Sequence, residues 1–335
     1  MDHKDFNLSL ARNTLPSVLL FEGDEEHLKQ EALFALRKAL LPEGLEEMNE
    51  LVLDDPSADQ LIAAAETIPF MADKRLVIIR DYPALTGRAE ADEKIISYLP
   101  AVPGSTLLLF YCTGKPDGRK KIYTVIKKSG GIVTFSSLKG VELTRFVTDT
   151  FRCLGKQCDD RTAEYLIFTV GSDTGLLQSE ISKISSFASD RSNIAAADIS
   201  ALATPSTECT VFQMVDAVVA GQNSKALRLL RNQLLAGTDR MTVLSMLLRQ
   251  YRLLQHIKIM QYEKKGNDYI RNTLGVPPFA VEQYLRQASS YTGGQVKRAV
   301  SACFEAEYAI KSGRMQADGG VESLVLQLLT LRNPG

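Results

Sequence analysis

The 335-residue sequence has no tryptophan, only three histidines (His3, His27, His256), and five cysteines with no CxxC pair among them. Each scarcity closes off a class of function. Three scattered histidines cannot build a histidine metal cluster, and none has the company that a Ser-His-Asp set requires, so no catalytic residue and no metal ligand is assigned. His3 reads as part of a mobile N-terminal segment, and His27 and His256 as exposed helical positions. Cys112, Cys153, Cys158, Cys209 and Cys303 are odd in number and widely spaced, which argues against a disulfide framework or a zinc site and makes them reduced core thiols. Excess charge is missing too. Lys and Arg total 39 against 40 Asp and Glu, a net charge of -1, so any contact with nucleic acid or an anionic membrane must be a local patch. No apolar run approaches the roughly 20 residues that span a bilayer, and the first twenty residues lack the basic start and apolar core of a signal peptide. A cytoplasmic location is expected.

What is present is ample core material: 45% of residues are hydrophobic. Over the first 140 residues, apolar runs bounded by turn signals recur at "SVLLFEG", "NELVLDD", "KRLVIIRDYP", "STLLLFYCTG" and "GGIVTFSS". Such runs fit strands buried on both faces of a parallel sheet. Helical patterns such as "EEHLKQEALFALRKALL" and "ADQLIAAAETI" lie between them, so the first domain is α/β. After about Lys139 the pattern is helical throughout. Four short amphipathic helices occupy residues 140–206, a small lid, and the connector "TPSTEC" leads into longer helices over 207–335. The expected domains are therefore 1–139, 140–206 and 207–335.

The stretch "LLFEGDEEHLKQEAL" from Leu19 is a strand, a glycine and a helix, as at the start of a nucleotide-binding P-loop domain. A phosphate loop needs a glycine, four residues and Gly-Lys-Ser/Thr, so that bare backbone N–H groups close around phosphate. Counting from Gly23 puts Leu28, Lys29 and Gln30 in the last three places, with Asp24, Glu25 and Glu26 crowding the loop. The frame of an ATPase is there and its chemistry is missing. Asp54 and Asp55 read as a strand end and turn, and Asp81 as chain reversal after "LVIIR".

Two further stretches stand out. "GKPDGRKKIYTVIKKSGG" carries Lys115, Arg119, Lys120, Lys121, Lys127 and Lys128, either a solvated helix face or a patch for phosphate or DNA. "TIPFMADKRLVII" joins a helix to a strand through Ile68, Pro69, Phe70 and Met71. Large apolar residues in so short a connection either cap the core, which residue types alone favour, or form a docking plug.

The order "LLFEGDE", "IPFMADKRLVII", "LLLFYCTGKPDGRKKIY", "VGSDTGLLQSEISKI", "VFQMVDAVVAG", "LLRQYRLLQ" resembles the delta subunit of bacterial DNA polymerase III, a clamp-loader family, over about Ser17 to Leu328. The resemblance implies an AAA+-like α/β domain, a helical lid and an all-helical collar for oligomerisation. It implies no working ATP site and no cofactor, the energy coming from partner ATPase subunits, gamma or tau, alongside delta-prime. It places a contact with the sliding clamp, the beta ring, at Ile68, Pro69, Phe70 and Met71, with Phe70 the principal residue. Pro69 departs from the leucine that often precedes the phenylalanine in this family. The implied role is opening the clamp for loading on primed DNA in replication. Alternatives are an active P-loop ATPase built around Lys29 and a DNA-binding scaffold acting through residues 115–128.

Overall fold

In a computed structural model, residues 1–90, 92–274 and 278–332 are described, and the chain divides into two compact units, Met1–Leu138 and Lys139–Gly335. The first runs α1 (His3–Ala11), β1 (Val18–Glu22), α2 (Glu26–Leu40), α3 (Glu46–Asn49), β2 (Glu50–Asp54), α4 (Ala58–Glu66), β3 (Arg75–Arg80), α5 (Pro83–Thr86), α6 (Glu93–Tyr98), β4 (Thr106–Tyr111), α7 (Lys121–Lys128) and β5 (Ile132–Thr134). Its five strands are all parallel, in the order β2-β3-β4-β1-β5. Crossover helices force that arrangement, since parallel neighbours cannot be joined by hairpins.

The β period of two sorts the strand residues onto two faces. Val18, Leu20, Val77, Ile79, Leu108 and Phe110 face one core with Leu61 of α4, Ile95 of α6 and Ile122 of α7. On the other face Phe21 meets Phe6 of α1 edge-on at 5.2 Å and Phe135 at 5.0 Å. The central strands β1, β3 and β4 are therefore almost wholly buried. β2 is an edge strand and only partly covered, which corrects the expectation that all five runs are buried on both faces.

The N-terminus is tied down rather than mobile. Asp2 caps α1 by accepting from the backbone N–H groups of Lys4 and Asp5, and Phe6 is buried. The Met1 amine donates to the Ile132 carbonyl at 2.8 Å, and Asp2 bridges Thr134 beside β5. A lone phenylalanine in a polar stretch gives little periodic signal, which is why the segment reads as unanchored.

The second unit is helical: α8 (Val141–Cys153), α9 (Asp160–Val170), α10 (Thr174–Ala188), α11 (Ala196–Leu202), α12 (Thr207–Val219), α13 (Asn223–Leu235), α14 (Arg240–Tyr262), α15 (Asn267–Leu274), α16 (Pro278–Ser289), α17 (Gly293–Lys311) and α18 (Ala317–Arg332). Side-chain caps at Asp159, Asp173, Ser206, Asp239 and Thr292 mark five of the starts. The largest core joins α12, α14, α17 and α18 through Val215, Leu247, Leu254, Cys303 and Leu328. A buried amide fixes its register: Gln287 donates to Asp216 at 2.7 Å and accepts from Gln250 at 2.6 Å. Phe168 of α9 packs edge-on against Phe212 of α12 at 5.1 Å, so residues on both sides of position 206 share one compact unit.

Of the cysteines, Cys112, Cys209 and Cys303 are core thiols, whereas Cys153 is exposed and Cys158 half-buried. Among the described residues no helix is long and apolar enough to cross a membrane.

One close approach locks β5 onto β1. A Cβ added at Gly131 would lie 2.0 Å from the Val18 carbonyl oxygen, a backbone atom that cannot swing aside. Gly131→Ala is expected to lower stability by about 1–3 kcal/mol in a denaturant titration. Gly104→Ala, whose Cβ meets nothing within 4 Å, should stay within about 0.5 kcal/mol of wild type.

Candidate functional site: a filled phosphate loop and an exposed apolar turn

The glycine turn after β1 has the outline of a phosphate loop, and the protein fills it from within. The Gly23 N–H donates to the Gly114 carbonyl at 3.3 Å and the Glu25 N–H to the Phe135 carbonyl at 3.2 Å. Gly23 sits at φ +114, and a Cβ there would lie 2.1 Å from the Phe135 oxygen. This glycine therefore serves approach to protein backbone.

Lys29, where a phosphate-binding lysine falls by count, is 0% exposed. Its ammonium donates to the Cys112 carbonyl at 2.7 Å and pairs with Glu26 at 2.8 Å, and it lies 5.2 Å from the centre of the Tyr111 ring. Glu26 also accepts from the Tyr111 hydroxyl. Burial, that hydrogen bond and the carboxylate's charge raise the Tyr111 phenol above its ordinary range, so it stays a donor at neutral pH. A buried ammonium needs such partners.

Leu28 is buried, and Gln30 lines a cleft with Glu26, Arg80 and Asp81. Asp81, at φ +43, accepts from the Thr113 backbone at 2.8 Å and from its hydroxyl. Burial pushes its pKa up, and the two bonds from Thr113 outweigh that, leaving it below the usual carboxylate range.

Three of the six cations in the basic stretch are paired with nearby carboxylates. Arg119 pairs with Asp117 at 2.9 Å, Lys120 with Glu90 at 2.5 Å and Lys121 with Glu93 at 2.7 Å. The Arg119 hydrogen bonds hold the Asp117 carboxyl down at about 2. Lys115, Lys127 and Lys128 are exposed. Sequence spacing collects the cations on one turn, but Glu90 and Glu93 come from about thirty positions upstream, and only the fold brings them there.

The Ile68–Met71 turn takes the opposite form. Ile68 is 82% exposed, Phe70 50% and Met71 78%, with Pro69 half-buried, so the reading of this run as a cap on the core is overturned. The helix before it is firmly built: Ser57 and Gln60 form a capping box on α4. After Thr67 the chain leaves α4 in extended conformation and enters β3 at Arg75. Between them Asn49 holds the turn's backbone, accepting from the Phe70 N–H at 2.7 Å and donating to the Phe70 carbonyl at 2.9 Å. Sequence reading misses Asn49, because its partner lies 21 positions away and an asparagine before a strand reads as a simple turn residue.

The parallel sheet in the order β2-β3-β4-β1-β5, with helices against both faces and a glycine turn after β1, followed by an all-helical region, defines an AAA+-like protein. A family model described as "DNA polymerase III, delta subunit" matches residues 19–136, and one for the C-terminal domain of that subunit matches residues 208–328. DNA polymerase III subunit delta of Bacillus subtilis is 26% identical over 331 residues, covering 96% of this chain and 95% of that protein. A probable DNA polymerase III subunit delta of Aquifex aeolicus is 23% identical over 260 residues, covering 75% and 73%. The solved DNA clamp loader delta protein of Bacillus subtilis superposes with a TM-score of 0.61 at 25% identity, covering 98% of this chain and 99% of that one. The chain belongs to the DNA polymerase III delta subunit family.

The filled loop makes Lys29 a structural residue. Lys29→Ala is expected to lower stability by about 1–3 kcal/mol, the usual cost of orphaning a buried acceptor, here the Cys112 carbonyl. Denaturant midpoints of Lys29→Ala, Glu26→Gln and the double variant should show clear non-additivity. Unchanged stability of Lys29→Ala would show that the ammonium is not part of the fold's framework.

Proposed function

We propose that this chain is the clamp-opening subunit of a bacterial clamp loader, acting mechanically in the cytoplasm while partner subunits hydrolyse ATP. The observation that carries the reading is the exposed apolar run Ile68–Met71 on a compact α/β unit, with a half-exposed phenylalanine held by its backbone. Solvent-exposed apolar side chains clustered on a short connection favour a partner pocket. Complete burial of an aromatic of this size contributes about 1.5–3 kcal/mol, and aromatic anchors often dominate an interface. On the family reading the partner is the sliding clamp. Opening the ring requires binding the open form better than the closed one, since equal affinity shifts nothing.

The absence of catalysis in this chain alone is part of the same proposal. It is supported by the loop N–H groups spent on the Gly114 and Phe135 carbonyls and by Lys29 turned inward onto Glu26. Hydrolysis is then the work of the gamma or tau subunits, and delta-prime and primed DNA complete the assembly. The collar over 207–335 is the proposed oligomerisation domain and 140–206 the lid. Arg119, Lys120 and Lys121 are ion-paired, so the DNA-scaffold alternative would rest on the exposed Lys115, Lys127 and Lys128.

Because Phe70 is half-exposed, Phe70→Ala should barely move the melting temperature, while a loss of about 2 kcal/mol weakens clamp binding about thirtyfold or more. Calorimetry and a clamp-binding assay on one preparation decide between this and a core role, in which stability falls and affinity does not. Residues 1–138 form one compact unit, so that fragment should keep clamp binding and lose assembly with the ATPase subunits. A folded fragment that fails to bind the clamp would place the contact elsewhere.

A further inference from the structure

The Ile68–Met71 turn is held by a side chain outside it. Asn49, the last residue of α3, is buried and spends its whole amide on three backbone groups. Its Oδ1 accepts from the Phe70 N–H at 2.7 Å, and its Nδ2 donates to the Phe70 carbonyl at 2.9 Å and to the Leu45 carbonyl at 3.1 Å. One side chain thus satisfies both polar groups of the Phe70 backbone, as a neighbouring strand would, and among the described residues no strand pairs with Phe70.

Two further constraints converge there. The Arg75 guanidinium donates to the Met48 carbonyl at 3.2 Å, pinning the residue before Asn49 to the start of β3. Met71 adopts φ +50, left-handed backbone that a methionine keeps only where its surroundings impose it. Here the backbone is fixed and the apolar side chains are left outside.

We propose that Asn49 is the positioning residue of the clamp contact: it fixes the Phe70 backbone so that the ring is presented before the clamp arrives. The inference rests on the reading of Phe70 as the clamp anchor. Its physical basis is pre-organisation, since an anchor already frozen loses less conformational freedom on binding. Asn49 is itself fully buried and would act through Phe70.

The test uses the full-length chain and the purified sliding clamp of the same organism, with wild type, Asn49→Ala, Phe70→Ala and the double variant. Asn49→Ala should weaken clamp affinity about five- to thirtyfold, the equivalent of freezing one residue's backbone. The double variant should bind no more weakly than Phe70→Ala, because with the ring gone there is nothing left to position. Wild-type affinity for Asn49→Ala, or a loss that adds in full to that of Phe70→Ala, would overturn the proposal while leaving the anchor reading intact. Undiminished binding by Phe70→Ala would instead overturn the anchor reading and Asn49's role with it.

Asn49→Asp supplies a second, reversible measurement. The aspartate keeps the acceptor for the Phe70 N–H but sets a carboxylate against the Phe70 and Leu45 carbonyls, where the amide donated. Its affinity relative to wild type should be lowest at about pH 8 and climb toward about pH 5 as the crowded carboxyl, its pKa raised by burial, takes up a proton and donates again. A ratio that stays flat over that range counts against positioning.

Discussion

A lysine ammonium with no exposed surface must find its partners inside the protein, and that requirement organises the end of the sheet where β1 gives way to α2. Lys29 is answered by the Cys112 carbonyl after β4 and by Glu26 one turn back on its own helix. Glu26 is held in turn by the Tyr111 hydroxyl at the end of β4. A carboxylate therefore stands against the lysine at the position where phosphate oxygens would be met in a nucleotide-binding relative of this fold. The sheet keeps the strand order that makes such a loop possible, and the charges have been paired internally.

The proposed clamp contact lies at the other end of the same sheet. All five strands run parallel, so the glycine turn follows the carboxyl end of β1 while the Ile68–Met71 run precedes the amino end of β3. Strands of this length separate the two by roughly 17–20 Å. One end is polar and closed by internal ion pairs. The other is apolar, outward-facing and backbone-locked through Asn49.

The same contrast appears in the charged surface. The cations at 119–121 look like a binding patch in isolation, but Arg119 pairs with its neighbour Asp117, and the fold brings Glu90 and Glu93 to Lys120 and Lys121. Ile68, Phe70 and Met71 look like core in isolation and emerge as surface once α4 and β3 fix the ends of their connection. Side-chain type sets what a residue would gain by burial or pairing. Which neighbours are within reach is set by the fold.

By itself the sequence determined the alternation of strands and helices up to about residue 139, the helical character of everything after it, and the failure of the phosphate-loop pattern at Leu28 and Gln30. These rest on periodicity and on residue identity within a few positions, which are local properties. It also marked Ile68–Met71 as unusual without deciding which way the side chains point. The tertiary structure alone decided that direction, the burial of Lys29 against Cys112 some eighty positions away, the seating of the N-terminal helix on Phe21, and the hold of Asn49 on Phe70. Each is a meeting of residues far apart in the chain, and no local pattern records it because the cost or gain of a polar group depends on partners that only the folded chain brings within hydrogen-bond distance.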